Sequence, residues 1–312
     1  MAEAAGPTLT LDLVHDVREL TAYPFMVHAL EAGACAAILA GALGWFMVLR
    51  GQSFAGHALS SMAFPGGSGA ALLGVTPAYG YLACCALAAA TMAGGGGRRR
   101  RRRDLEGGGR GAGIGDPVTV AVVQAVGLAA GFAFLSLNGR VLGDLESVLF
   151  GTLLGISATQ VALLAAVCAA GLLILAFIGR PLWFASVDPA VAAARGLPVR
   201  GLGATYLVLL GLAVGAVSQI TGVLLVFALL VAPAAAVREL TARPGLGLAL
   251  SVGIGLGVCW VGLAISYFSP YPVGFWISSV GFGTFACARL GHALVRWGAG
   301  RRGAGRALPG GR

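Results

Sequence analysis

The sequence contains no lysine and few charged residues of any kind. All 21 basic residues are arginine, and charged residues make up only 11% of the 312-residue chain. Soluble domains carry roughly 25% charged residues, so this chain lacks the polar surface that a globule needs in water. Hydrophobic residues instead make up 58% of the chain, and the mean hydropathy is +0.88. The composition therefore excludes soluble and disordered proteins and indicates a protein of the lipid bilayer.

The missing lysine also excludes two kinds of active site. A P-loop uses a lysine to hold the terminal phosphates of a nucleotide, and a Schiff-base enzyme uses one as its nucleophile. The sequence also lacks a His-Glu-x-x-His motif and a pair of carboxylates at membrane depth, so metalloprotease chemistry is not indicated. We therefore expect no enzymatic activity, no catalytic residues and no cofactor-binding residues.

Cysteine and the basic residues give no sign of a metal cluster or a nucleic-acid site. The six cysteines lie in apolar runs without CxxC spacing, which is typical of buried hydrophobic residues. Six arginines stand together at 98–103, inside a Gly-rich stretch. This pattern indicates a basic loop at 94–116 that is either solvated or in contact with anionic lipid head groups, and we expect no nucleic-acid partner.

Long uncharged stretches predict an all-α, polytopic integral membrane helical bundle. About 20 apolar residues span the hydrocarbon core of a bilayer, and several stretches are long enough for two crossings. Turn signals divide these at 74–77, 218–222 and 269–272. We predict nine transmembrane helices, or eight if one is re-entrant. The segments are 26–49, two within 51–97, 117–137, 154–179, two within 201–237 and two within 244–288.

The distribution of arginine predicts the orientation of these segments and the domain boundaries. With the N-terminus outside, 19 of the 21 arginines lie on the cytoplasmic side, as the positive-inside rule requires. We expect a multi-pass protein of the plasma membrane with a transmembrane domain at 26–295. It would follow an amphipathic lead-in at 1–25 and precede a flexible basic tail at 296–312.

His57 is a candidate metal-binding residue because ionisable side chains within a membrane are costly and often functional. It lies near the start of a predicted helix, and Ser61 follows one turn later on the same face. An imidazole can bind a borderline ion such as Zn²⁺. A histidine at the start of a helix more often donates a hydrogen bond to a backbone carbonyl or a head group.

A second candidate element is a short helix in the predicted cytoplasmic loop at 180–200. Asp188 has the position of an N-cap and Pro189 that of the first helical residue. Arg195 favours the negative end of the helix dipole, and Gly196 can supply a left-handed stop. The local signals are compatible with a lever between two membrane helices or with a capped interfacial helix that has no partner.

Four stretches together resemble the integral membrane permeases of the metal-ion ABC transporter family, which takes up zinc, manganese or iron. The stretches are 44–60, 148–155, 188–199 and 222–235, and the resemblance extends over roughly residues 25–295. The run GVLLVFALLVAPAA at 222–235 is the most specific of the four.

The resemblance implies several partners. They are a separate ATP-binding cassette ATPase, an extracellular or periplasmic metal-binding protein, a second permease copy that lines the same pathway, and membrane lipid. The short helix with Asp188, Pro189, Arg195 and Gly196 would dock into the ATPase. The divalent ion would be the transported substrate and not a cofactor.

The sequence departs from the family pattern at the implied ion site. Many relatives have an aspartate and, four residues later, a histidine at the positions of His57 and Ser61. Because an imidazole and a hydroxyl suit a hard ion such as Mn²⁺ less well than a carboxylate does, we expect zinc in preference to manganese. The alternative functions are a secondary transporter of ions or small solutes and an intramembrane enzyme. The uncharged central spans and the missing catalytic constellations argue against both.

Overall fold

The structure is a computed structural model that describes residues 18–20, 22–95, 117–138, 155–241 and 243–304. Over these ranges we number eleven α-helices and find no β-strand. They are α1 (Pro24–Leu49), α2 (Ser53–Ser61), α3 (Ala63–Leu72), α4 (Pro77–Gly95), α5 (Pro117–Asn138), α6 (Ala158–Val187), α7 (Pro189–Ala194), α8 (Val199–Thr221), α9 (Val223–Leu240), α10 (Pro244–Tyr267) and α11 (Val273–Ala304).

Six of these helices are long and apolar enough to cross a membrane: α1, α5, α6, α8, α10 and α11. The predicted helical membrane bundle is thereby confirmed, although eight to nine spans is more than the described residues support. The difference lies in α2 and α3, which divide one predicted span at Met62, and in α4 and α9, which are not among these six.

Glycine produces two of the predicted breaks. Gly74 has a φ of +67° after α3, and Gly222 has a φ of +78° between α8 and α9. L-residues with a side chain rarely adopt such angles, so glycine is the residue that lets the chain turn here. The break at 269–272 also separates two helices, α10 and α11.

Two predicted boundaries fall inside helices. The loop predicted at 180–200 begins within α6, which continues past Arg180 to Val187. The tail predicted from 296 onward begins within α11, which continues to Ala304. In both cases the helix continues past an arginine, Arg180 in α6 and Arg296 in α11. A long arginine side chain can keep its charge in water while the helix backbone continues.

Several predicted segments lie outside the described residues. They are most of the lead-in at 1–25, most of the basic loop at 94–116, most of the 148–155 stretch and the last part of the 296–312 tail.

The helices divide into an inner and an outer group. In α1, 78% of the most apolar window is buried, and in α8 the figure is 67%, whereas it is only 17% in α5 and 22% in α6 and α11. The outer helices expose large apolar side chains, of which Phe177 on α6 is 82% exposed. Such faces suit contact with lipid tails. The inner helix α1 packs against α6, α9 and α10.

Candidate functional site

The candidate ion-binding residue His57 lies on α2, a nine-residue helix inside the bundle. This helix contacts α1, α4, α5, α8 and α9. Its N-cap residue Gln52 is buried, and Gly56 packs directly against the thioether of Met47 at the end of α1. The close packing holds α2 against the C-terminal end of α1.

The imidazole of His57 is half-buried beside an aromatic ring. The centroid of the Phe227 ring on α9 lies 4.7 Å from that of His57, in an edge-on arrangement with an interplanar angle of 62°. The Nδ1 atom of His57 is buried and has no hydrogen-bond partner among the described residues. Buried polar atoms are normally satisfied, so this nitrogen is an available ligand or hydrogen-bonding group.

Ser61 shares the helix face of His57 but is hydrogen-bonded within the protein. Its hydroxyl donates to the backbone carbonyl of His57 at 3.0 Å and accepts a hydrogen bond from the amide of Gln124 on α5 at 3.5 Å. The hydroxyl of Ser60 also donates to the carbonyl of His57, at 2.8 Å. The structure therefore places Ser61 within one turn of His57, with its oxygen directed to the backbone and to α5.

The described part of the chain contains no group of three or more His, Cys, Asp or Glu residues that could hold a metal ion. The polar side chains beside the His57 imidazole are the hydroxyls of Ser60 and Ser61, and Gln124 donates to Ser61. Such a set lacks the charge that makes metal sites tight. Chemically, it can offer one ring nitrogen and hydroxyl oxygens to a cation.

Sequence reasoning missed Phe227 and Gln124. Both meet α2 only through tertiary packing, and they lie far from it along the chain. Gln124 had a usable signal, because it is a polar residue in the middle of the uncharged stretch at 117–137. Phe227 had none, since it is one apolar residue among many.

The structure forms the short helix predicted after Asp188. The Asp188 carboxylate accepts hydrogen bonds from the backbone N–H groups of Ala190 and Val191 at 3.1 and 3.0 Å, and Pro189 is the first helical residue. Gly196 has a φ of +80° and ends the helix. The cap and the stop predicted from the sequence are thereby confirmed for α7.

Arg195 ties α7 to the helix that precedes it. Its guanidinium lies 5.5 Å from the centroid of the Phe184 ring in the last turn of α6, a cation–π arrangement. Ala192 is fully buried, while Val191 is 42% exposed. One face of α7 is therefore packed on the bundle, and another face exposes apolar side chains at the protein surface.

A charged cluster joins α9 to α11. The Glu239 carboxylate lies 2.9 Å from Nδ1 of His292 and 3.7 Å from the guanidinium of Arg289. The hydrogen bond from His292 is the main reason that the pKa of Glu239 lies below its ordinary value, and the charge of Arg289 adds to this effect. This cluster is the one place where the described residues pair a carboxylate with an imidazole.

Comparison with known proteins places this architecture in a known group. Residues 22–288 match the sequence model of the ABC 3 transport family. A chain of the solved structure "PsaBC from Streptococcus pneumoniae in complex with Fab" superimposes with a TM-score of 0.74 and 26% identity. The alignment covers 88% of this chain and 94% of that one.

Two curated relatives match most of the chain. The manganese transport system membrane protein MntC of Halalkalibacterium halodurans is 28% identical over 270 residues, which is 86% of this chain and 88% of the relative. The manganese import system permease protein ScaB of Streptococcus pneumoniae is 27% identical over 267 residues, which is 82% of this chain and 86% of the relative.

Proposed function

Because this chain belongs to the ABC 3 transport family, we propose that it is the membrane-spanning subunit of an ATP-driven importer of manganese(II). The family is one of transport proteins, and the chain is a multi-pass permease of the plasma membrane. The observation that carries the choice of ion is that relatives matching more than 80% of the chain are named as manganese transport proteins.

Manganese replaces the zinc that the sequence analysis favoured. That expectation rested on the missing carboxylate beside His57, and the names of the relatives give it no support. A transport site has to release its ion, so a weak donor set does not argue against a hard cation. Selectivity between the two ions would then depend largely on the protein that delivers the ion.

The ion would contact His57 during passage. Its buried and unpaired Nδ1 supports this role, because no other group on the described chain satisfies that nitrogen. Ser61 would add an oxygen donor, and Gln124 would orient the Ser61 hydroxyl through the hydrogen bond between them. Oxygen donors suit Mn²⁺.

The driving force would reach the chain through α7. A separate ATP-binding cassette ATPase would dock on this helix, and Asp188, Pro189, Arg195 and Gly196 would keep its shape. The capped helix, its contact with α6 and its exposed Val191 support that role. A metal-binding protein would deliver the ion at the outer face, and a second copy of the chain would complete the pathway within the lipid bilayer.

The test is uptake of radioactive Mn²⁺ and Zn²⁺ by cells that lack their own importers and express the chain with its ATPase and binding protein. We expect Mn²⁺ uptake, and we expect His57→Ala to lower it about tenfold at limiting metal, the factor for a loss of roughly 1.4 kcal/mol. His28→Ala is the matched control, since His28 is a half-buried histidine on α1.

Three outcomes contradict different parts of the proposal. Uptake of Zn²⁺ without Mn²⁺ would overturn the choice of ion. Equal uptake by His57→Ala and the wild type would remove His57 from the pathway. Uptake in cells that lack the ATPase would indicate a secondary transporter.

A further inference from the structure

Arg50 lies between the start of α2, which carries His57, and the end of α6, which leads into α7. It is the C-cap residue of α1 and is only partly exposed. Its guanidinium donates from Nη1 to the hydroxyl of Ser186 at 3.0 Å and from Nε to the side-chain oxygen of Gln52 at 3.3 Å. The rigid, planar guanidinium therefore joins Gln52 to Ser186, which lies 136 residues after Arg50 along the chain.

Ser186 places one end of this bridge next to α7. It lies in the last turn of α6, two residues before Asp188, which is the C-cap of α6 and the N-cap of α7. The Ser186 hydroxyl also donates to the carbonyl of Leu182 at 2.5 Å, so its position is fixed relative to the α6 backbone. Since Arg195 clamps α7 onto Phe184, a displacement of α7 would move Ser186 with it.

Gln52 places the other end of the bridge at the start of α2. It is the N-cap residue of that helix, and its backbone carbonyl accepts a hydrogen bond from Gly56 at 3.0 Å. His57 is the next residue along the same nine-residue helix. A displacement of Gln52 would therefore displace the first turn of α2, the helix that carries His57.

Helix α8, which follows α7, also contacts Arg50. Tyr206 on α8 is fully buried, and its ring centroid lies 5.8 Å from the Arg50 guanidinium. The Tyr206 hydroxyl donates to the carbonyl of Leu43 on α1 at 2.7 Å. The helices on both sides of α7 are thus joined to the end of α1, one by Arg50 and the other by Tyr206.

Because Arg50 is partly buried, its charge depends on nearby groups for stabilisation. Desolvation lowers the pKa of Arg50 from its ordinary value, and the nearby Tyr206 opposes that shift. A partly buried charge is costly unless it is hydrogen-bonded, so Arg50 favours arrangements that keep both Ser186 and Gln52 in reach.

We propose that Arg50 is a positioning residue that couples movement of α7 to movement of α2. This inference rests on the proposed function. When the ATPase displaces α7, the Ser186–Arg50–Gln52 bridge carries the displacement to the helix of His57. Loss of the bridge uncouples ATP hydrolysis from ion transfer without preventing either the assembly of the complex or hydrolysis itself.

The test measures manganese ions moved per ATP hydrolysed by the full chain, reconstituted in proteoliposomes with its ATPase and binding protein. Arg50→Gln is compared with Arg180→Gln, which removes the same charge from an exposed position on α6. We expect Arg50→Gln to hydrolyse ATP at a near wild-type rate and to move about tenfold fewer ions per ATP, the factor for losing a hydrogen bond to a charged group. Arg180→Gln should match the wild type.

If Arg50 has only a structural role, Arg50→Gln would lower manganese uptake and ATP hydrolysis together and leave the number of ions moved per ATP unchanged. That result would overturn the proposal. Should Arg50→Gln fail to assemble, Ser186→Ala decides, because it removes only one hydroxyl. We expect a smaller loss in the same ratio, and an unchanged ratio in Ser186→Ala would also overturn the proposal. Failure of the proposed function gives a different result, since the wild-type complex itself would then show no ATP-dependent manganese uptake.

Discussion

The substitution Gly44→Ala should force helices α1 and α9 apart. A Cβ atom at Gly44 would overlap the backbone carbonyl oxygen of Leu230 and would lie 2.9 Å from its carbonyl carbon and 3.2 Å from its Cα. Carbon atoms pack best at about 3.5–4.0 Å. The helices would therefore have to separate by about 1 Å or more, because the atoms in contact belong to backbone and cannot rotate away.

The size of the effect follows from two opposing contributions. Overpacking of a well-packed interior costs about 1–3 kcal/mol, and replacing glycine by alanine within a helix recovers at most about 1 kcal/mol. We expect a net destabilisation of about 1–2 kcal/mol. With roughly 2–4 °C per kcal/mol for a chain of this size class, the melting temperature should fall by about 2–8 °C.

Thermal unfolding of the purified protein in detergent measures this change. Gly253→Ala on α10 is the matched control, since a Cβ there meets no atom within 4 Å. It should leave the melting temperature unchanged or raise it slightly. Equal melting temperatures for Gly44→Ala, Gly253→Ala and the wild type would refute the close approach of α1 and α9.

Two further predictions concern the charged residues outside the spans. Asp188→Ala should destabilise α7 by about 1 kcal/mol and weaken binding of the ATPase in a pull-down titration. Asp188→Asn retains a capping oxygen and should bind the ATPase as the wild type does. Equal binding by the wild type and both variants would show that the cap has no role in docking. Glu239→Gln should lower the melting temperature at neutral pH. Because the pKa of Glu239 is lowered in the folded state, the stabilisation is present above the ordinary carboxyl pKa of 4.5 and is lost as the pH falls through the lowered value. The variant should consequently lose less stability than the wild type on acidification, and parallel pH curves would contradict the contribution of His292.

The sequence was sufficient for features that depend on neighbouring residues. The cap at Asp188, the stop at Gly196 and the break at Gly222 follow from backbone preferences of single residues, and the structure confirms each. Uncharged runs of membrane length likewise gave the helical bundle. Charge was a poorer guide to the ends of helices, because α6 continues past Arg180.

Local sequence patterns do not predict contacts between segments that are distant along the chain. The edge-on packing of Phe227 on His57 joins α9 to α2, and the bridge from Arg50 to Ser186 joins α1 to α6. Neither pair shares a periodicity or a motif, since tertiary packing alone brings the partners together. The transported ion was also out of reach, because the same imidazole suits zinc and manganese.

The most direct measurement reconstitutes the purified chain in proteoliposomes with its binding protein and follows Mn²⁺ entry with and without the ATPase. Entry should require both the ATPase and hydrolysable ATP, and it should be absent when the chain is reconstituted without the ATPase. Sustained Mn²⁺ entry in vesicles that contain no ATPase would contradict the proposal that this chain is a permease driven by a separate ATPase through α7.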